Sequence, residues 1–264
     1  MLARLTLALP LSSQGEPSDL QAFLEGFASL TGRTLVPLWL PDYEALTEAV
    51  VSGQAELAWA PPVIAIELER RVAARPLVVI GRAGGLTYYG AIVAKRTSGI
   101  KRTRDLAGRS IAWVSPTSAA GYLVPRLYLL SKGLDPRSMF REERFGGTHH
   151  ASIELLLRGE VDAAAVFAQL ENAEKSQFRV PGPEHLLRIV ATVGPIPADV
   201  IVARGLESGD RTLVAGALLA LDEAALAPLA RVTALTRFEP VPIGHLDPLR
   251  KLAAVARAPE GRKA

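Results

Sequence analysis

Short apolar runs alternate with amphipathic stretches along most of this chain. Residues 5–9 are apolar and end at Pro10. Further runs at 34–40, 57–60, 77–80, 88–94, 110–114, 161–167, 187–192 and 200–203 are too short for stable helices. Each predicts a strand with at least one buried face. Between them the period changes. Leu20, Phe23, Leu24 and Phe27 recur at helical spacing after Ser18-Asp19 and before Gly32. Asp42 precedes a helix over 43–52 that Gly53 stops, and 62–71 forms another. Helices over 122–132 and 152–158 stop at Gly133 and Gly159, and 208–227 reads as one long helix capped by Ser208-Gly-Asp210. A strand is also expected over 140–145. Alternation of this kind predicts an α/β protein with parallel sheets covered by helices.

About ten strands with their helices would strain one compact unit, so two sheets are expected. The natural breaks are Gly84-Gly85-Leu86-Thr87 and Gly194-Pro195-Ile196-Pro197. If the chain crosses at both, residues 1–86 and 196–264 form one lobe and 87–195 the other. A ligand cleft would then lie at the C-terminal ends of the strands. Ser12-Ser13-Gln14-Gly15 reads as the loop after the first strand, and the charged tail over 257–264 as a frayed end.

Composition narrows the function. The 264 residues are 49% hydrophobic, enough for real cores, and the formal charge is only +3. Lys and Arg are scattered without a long basic run or interleaved aromatics, so nucleic acid is not an expected partner. The chain has no cysteine, which removes disulfides, Cys-based zinc sites and a Cys nucleophile. No run reaches the length of a membrane span. Residues 5–11 are short for a signal h-region and no A-x-A pattern closes them. They read better as a first strand, which leaves two expectations open: a leader removed from this chain, or a protein that is not exported.

The stretch Ser115-Pro-Thr-Ser-Ala-Ala-Gly121 carries the clearest chemistry. A buried strand turns through small hydroxyl residues into a helix holding Tyr122, Leu123, Leu127, Leu129 and Leu130. Such a turn presents unpaired backbone N–H groups at the positive end of the helix dipole, which suits an anion. Tyr43, Thr117-Ser118, His149-His150 and Asp199 all follow strands on loops. Adjacent histidines on a turn diverge and make a poor metal pair, so one is expected to face the cleft and the other solvent. No metal or cofactor is expected. Ser118, His149 and Asp199 have the residue types of a hydrolase. However, the chain contains no G-x-S-x-G elbow, no G-x-G-x-x-G run and no Walker A loop, so catalysis is not expected.

Taken together these motifs resemble the substrate-binding proteins of phosphate and phosphonate ABC importers. The similarity covers most of the chain. It includes Leu30-Thr-Gly32, Asp42-Tyr43-x-x-Leu46 and the run from Val51 through Trp59 to Pro62. It continues through Gly99-Ile-Lys101, Asp105-Leu-Ala-Gly108, Ser115 to Pro125 and Phe145-Gly-Gly-Thr-His149. Leu157-Arg-Gly-Glu-Val-Asp-Ala-Ala-Ala165 and Pro195-Ile-Pro-Ala-Asp199 complete it. The resemblance implies a hinged two-lobe fold of the type 2 periplasmic-binding-protein kind that closes on a small anion without covalent chemistry. It implies ligand bonds from the Ser118 hydroxyl, with Thr117 beside it, and from the N–H groups of Ala119, Ala120 and Gly121. Tyr43, His149 and Tyr88 or Tyr89 would donate further bonds, and Asp199 would accept one from a protonated oxygen. It also implies a periplasmic monomer serving an ABC permease, with cytoplasmic residence as the alternative.

The chain departs from that family in its central loop. Family members usually carry Ser-Thr-Ser-Gly, and this chain has Ser118-Ala119-Ala120-Gly121. Two hydroxyl donors are missing, each worth roughly 1.5–3 kcal/mol as a charge-assisted bond. Weaker phosphate or phosphonate binding, or a less polar ligand, is therefore expected. No acidic residue stands out for an aminophosphonate ammonium, and Phe167 and Gln169 are expected on a loop reaching the cleft. A ligand sensor and an enzyme on the same fold remain the other two readings.

Overall fold

The computed structural model describes residues 4–10, 17–82, 84–172, 174 and 177–250. The expected Ser12–Gly15 loop and the tail over 257–264 lie outside them. The first part of the chain runs β1 (Arg4–Pro10), α1 (Gln21–Thr31), β2 (Thr34–Leu40), α2 (Tyr43–Ser52), β3 (Leu57–Ala60), α3 (Pro62–Val72) and β4 (Arg75–Gly81). The middle part runs β5 (Thr87–Lys95), β6 (Ser110–Trp113), α4 (Val124–Ser131), α5 (Pro136–Met139), β7 (Glu142–Phe145), α6 (His149–Arg158), β8 (Ala163–Asn172), β9 (Gln177–Arg179) and β10 (Leu187–Pro197). The last part adds β11 (Val200–Ala203), α7 (Ser208–Ala220), α8 (Glu223–Thr233) and β12 (Arg237–Pro240).

These elements form two compact units. One holds the described residues up to Leu86 and then Pro197–Leu246; the other holds Thr87–Ile196 with the described residues from Asp247 onward. The placement of 247–250 with the second unit departs from the expected return of everything after 196 to the first. Nothing in the composition around Leu246-Asp247 marks that change.

The first unit is a six-stranded sheet in the order β12-β4-β11-β3-β1-β2. Leu5, Leu7 and Leu9 alternate onto one face, where Phe23 and Phe27 of α1 and Val214 and Leu218 of α7 bury them. Ala8 faces the other way, toward Leu46 and Val50 of α2 and Ile64 and Leu68 of α3. The sheet is mixed, not parallel as expected. β1 pairs parallel with β2 and β3, but β11 runs antiparallel to both β3 and β4, and β12 antiparallel to β4. A strand fully buried on both faces reads the same in either direction, so periodicity cannot give its sense.

The second unit's sheet has the order β10-β5-β8-β6-β7, with β9 paired to β8. It too is mixed: β6 is parallel to β7 and β8, and β5 is antiparallel to β8. Helix α6 covers one face over Ala91, Ala112 and Val166, while Trp113, Leu129 and Ile92 fill the other. β7 is a fully exposed edge strand beginning only at Glu142, because Asp135 caps the short helix α5 that takes up 136–139. β8 extends to Asn172, so Phe167 and Gln169 are strand residues and not loop residues.

The long helix expected over 208–227 is two helices, α7 and α8, turned by 83°. The Asp222 side chain accepts from Ala225 N–H at 2.9 Å and starts α8. At the other end, Glu207 holds the cap position of α7 without a side-chain bond. Asp210 pairs instead with the buried Arg33 at 2.6 Å. No single helix among the described residues is long and apolar enough to cross a membrane.

Candidate functional site

In the second unit, β6 and β7 end at the same sheet edge, with Trp113 opposite Phe145. The loops that follow are stitched together: Gly146 N–H donates to Trp113 C=O at 2.8 Å, and Gly147 N–H to Val114 C=O at 2.9 Å. The first loop carries Thr117 and Ser118, the second His149, so the parallel pair brings these residues to one place.

After Ser118 the backbone makes a π-type turn over Ala119–Leu123 that runs straight into α4. Ser118 caps it, its Oγ accepting from Gly121 N–H at 3.0 Å. The Gly121 N–H, expected as a ligand donor, thus has a partner inside the loop itself. The N–H groups of Ala119 and Ala120 remain at the open end, where a helical turn supplies no internal acceptor. Ser118 is buried, and its hydroxyl, an acceptor here, still carries a proton to donate. Thr117 Oγ1 lies 3.4 Å from Ser115 Oγ.

Two glycines shape this turn by lacking side chains. A Cβ on Gly121 would lie 2.3 Å from Val114 Cγ2, and one on Gly90 would lie 2.7 Å from the Ala120 carbonyl oxygen. The Gly90 face of β5 is therefore the face against the turn. Strand alternation puts Tyr88 on that face and Tyr89 on the opposite one, where Tyr89 stacks edge-on against Phe178 at 4.9 Å. Of the two tyrosines left open by the sequence, Tyr88 shares the turn's side.

His149 opens α6 after Thr148, whose hydroxyl accepts from Ala151 N–H at 3.1 Å. Its Nδ1 accepts from Phe167 N–H at 3.1 Å, and its ring stands edge-on to Phe167 at 5.0 Å. With Nδ1 an acceptor, the neutral ring carries its proton on Nε2, a donor. His150 is exposed. This tautomer is the reverse of what a hydrolytic triad needs, in which Nδ1–H donates to a carboxylate.

The first unit carries a second group. Tyr43 begins α2, where Asp42 caps the helix by accepting from Ala45 N–H at 2.8 Å. Asp199 precedes β11, and its Oδ2 accepts from Trp59 Nε1 at 3.2 Å and from Arg82 Nη2 at 2.9 Å. Arg82 is anchored by its Nε, which donates to Thr233 C=O at 3.2 Å. All four residues sit at the edge where β2, β3 and β4 end and β11 begins. Burial pushes the Tyr43 phenol well above the ordinary tyrosine range, the Asp199 carboxylate adds to the rise, and Arg82 opposes it. Tyr43 is thus a neutral donor at any physiological pH. Among the described residues, neither the Tyr43 hydroxyl nor Asp199 Oδ1 makes a hydrogen bond.

Every expected site residue therefore falls into one of two groups: Tyr43 and Asp199 in the first unit, Tyr88, Thr117–Gly121 and His149 in the second. Trp59 and Arg82, which bond to Asp199, were not singled out in the sequence. Trp59 lay inside a quoted motif but read as strand core. Arg82 follows β4 and adjoins the Gly84-Gly85 break, a position that hinted at a site.

A family model described as the periplasmic substrate-binding protein of a phosphonate ABC transporter matches residues 9–243. The phosphonates-binding periplasmic protein of Escherichia coli is 23% identical over 187 residues, 69% of this chain and 54% of that protein. The chain spans about half the length of the curated relatives it matches. A binding-protein component of a phosphonate ABC transporter from Pseudomonas aeruginosa superposes with a TM-score of 0.79 at 20% identity, over 97% of this chain and 87% of that one. A Xanthomonas citri protein bound to ATP gives 0.78 at 22% identity, over 96% of each chain.

Proposed function

Because this chain belongs to the phosphonate periplasmic substrate-binding family of ABC transporters and has its type 2 binding-protein fold, we propose that it captures a small phosphonate- or phosphate-like oxyanion without catalysis. The observation that carries this reading is the Ser118 turn. A buried hydroxyl and the two open N–H groups of Ala119 and Ala120 stand beside the loop that carries His149. Preorganised donors of this kind suit anion oxygens, and none of them is a nucleophile with an adjacent base. Tyr88 and Thr117 border the turn, and the family resemblance adds Tyr43 and Asp199 as ligand contacts. Asp199 Oδ1 accepts from a protonated ligand oxygen, which favours a monoprotonated oxyanion. The protein works as a periplasmic monomer that delivers its ligand to an ABC permease.

Calorimetric titration with phosphate, phosphite, methylphosphonate and ATP tests the reading. One of the first three should bind, and Ser118→Ala should weaken it by about tenfold or more, the worth of one charge-assisted bond. Ala119→Thr, which returns a hydroxyl to the loop, should tighten it. Binding of ATP alone, or Ser118→Ala binding unchanged, defeats the proposal.

A further inference from the structure

Pro125 is the second residue of α4 and is buried one helical turn beyond the Ser118 loop. A proline has no N–H, and in an α-helix its ring collides with the carbonyl four residues back. Here that carbonyl belongs to Gly121. It is not left idle, because it accepts from Val114 N–H at 3.1 Å and so closes the loop between them. The backbone ahead of Pro125 is widened to match. Ser118 C=O accepts from Leu123 N–H at 3.0 Å, and Ala119 C=O from Val124 N–H, each one residue later than in an α-turn. Single π-type turns set into helices are uncommon and recur at functional sites. Val114 is the joint of the whole arrangement. Its N–H holds the Ser118 turn, its C=O accepts from Gly147 N–H at 2.9 Å, and its side chain occupies the space that a Cβ on Gly121 would need.

We propose that Pro125 is a positioning residue for the oxyanion: by denying Gly121 C=O an α-helical partner it gives that carbonyl to Val114 N–H, and so holds the Ala119 and Ala120 N–H groups in the orientation that receives the ligand. This rests on the reading of the Ser118 turn as the ligand site. An N–H at position 125 would compete with Val114 for Gly121 C=O. The turn would then tighten toward α geometry, with Ser118 C=O taking the Tyr122 N–H in place of the Leu123 N–H. The two open N–H groups would rotate with it. Hydrogen bonds weaken steeply as their angle bends, so the ligand feels even a small rotation of its donors. Pro125 has no donor of its own to offer an oxyanion and acts only through Gly121 and Val114.

The test pairs calorimetric titration with phosphate, phosphite and methylphosphonate with backbone amide exchange of the ligand-free protein. In the native protein the Val114 amide should be protected. Pro125→Ala should bind the tightest of the three ligands about tenfold more weakly or worse, the scale of one misdirected hydrogen bond. Its Val114 amide should exchange faster by about tenfold or more. Pro136 also stands at the start of a helix in this unit, α5. Pro136→Ala loosens the unfolded chain in the same general way and should leave both readouts at native values. A folded Pro125→Ala protein with native affinity overturns the inference. So does weaker binding with native Val114 exchange, or an equal loss in Pro136→Ala, which would put the effect down to general loosening. If Pro125→Ala does not fold, the native Val114 amide decides: protection supports the inference, and exchange at the free-peptide rate overturns it. Failure of the native protein to bind any of the three ligands overturns the binding reading as well, and so is distinguished from failure of the positioning account alone.

Discussion

Tyr43 shows what a single enclosed hydroxyl contributes. Its phenol is neutral in the fold because burial and the Asp199 carboxylate both disfavour the phenolate. In the unfolded chain it would ionise near the ordinary tyrosine value of about 10. The stabilisation from this difference is complete below pH ~10 and is lost as pH rises from there toward the higher folded value. Urea unfolding at about pH 9 and about pH 11 should therefore show a steeper alkaline loss for the native protein than for Tyr43→Phe. In an alkaline absorbance titration, one of the 5 tyrosines should ionise late. A Tyr43→Phe protein with the same alkaline slope would contradict this. Tyr43, Ser118, His149 and Asp199 stood out as candidates because small hydroxyls, a histidine and an acid on post-strand loops are unusual enough to notice. Trp59 and Arg82 did not, because an apolar strand hides an indole N–H among core residues and an arginine at a strand end reads as a solvated charge. That Ser118 turns back to accept from the Gly121 N–H was equally invisible in the sequence.

At the level of elements, the sequence identified strands and helices well where a stop signal was explicit. Asp42 and Gly53 bracket α2, and the structure agrees to the residue. It failed where the apolar period ran through a break. Leu218, Leu221, Leu226 and Leu229 continue one pattern across the junction of α7 and α8, so the pattern alone predicted one helix. Asp222 is the residue that ends it. Replacing Asp222 by Ala removes the bond to Ala225 N–H and should cost about 1 kcal/mol in urea unfolding, as lost N-caps do. An unchanged midpoint would mean that packing alone sets the break. The Asp162 end of the Leu157–Ala165 motif teaches a related lesson. Burial pushes Asp162 up, yet the Ser110 N–H and hydroxyl that both donate to it bring it below the usual carboxylate range. This part of the family signature therefore ties the start of β8 to the start of β6, a structural duty far from the Ser118 turn.

For the whole molecule, strand direction was the feature least available to sequence reading. β11 arrives from residues 200–203, yet it lies between β3 and β4, antiparallel to both. The second unit, by contrast, is drawn from one stretch, Thr87–Ile196, apart from the residues after Leu246. A fragment of residues 1–86 should therefore lack cooperative unfolding by circular dichroism, because its sheet is missing a middle strand and both of its neighbours are left with bare edges. A fragment of 87–196 should keep it. The reverse result would show that β11 is an accessory to a sheet already formed. The placement of β11 also has a meaning in time. As the chain leaves the ribosome, the first 86 residues must wait, unfinished, while more than a hundred others are made before the carboxylate that Arg82 covers arrives. The unit begun first therefore stays incomplete until Pro197–Leu246 have been made.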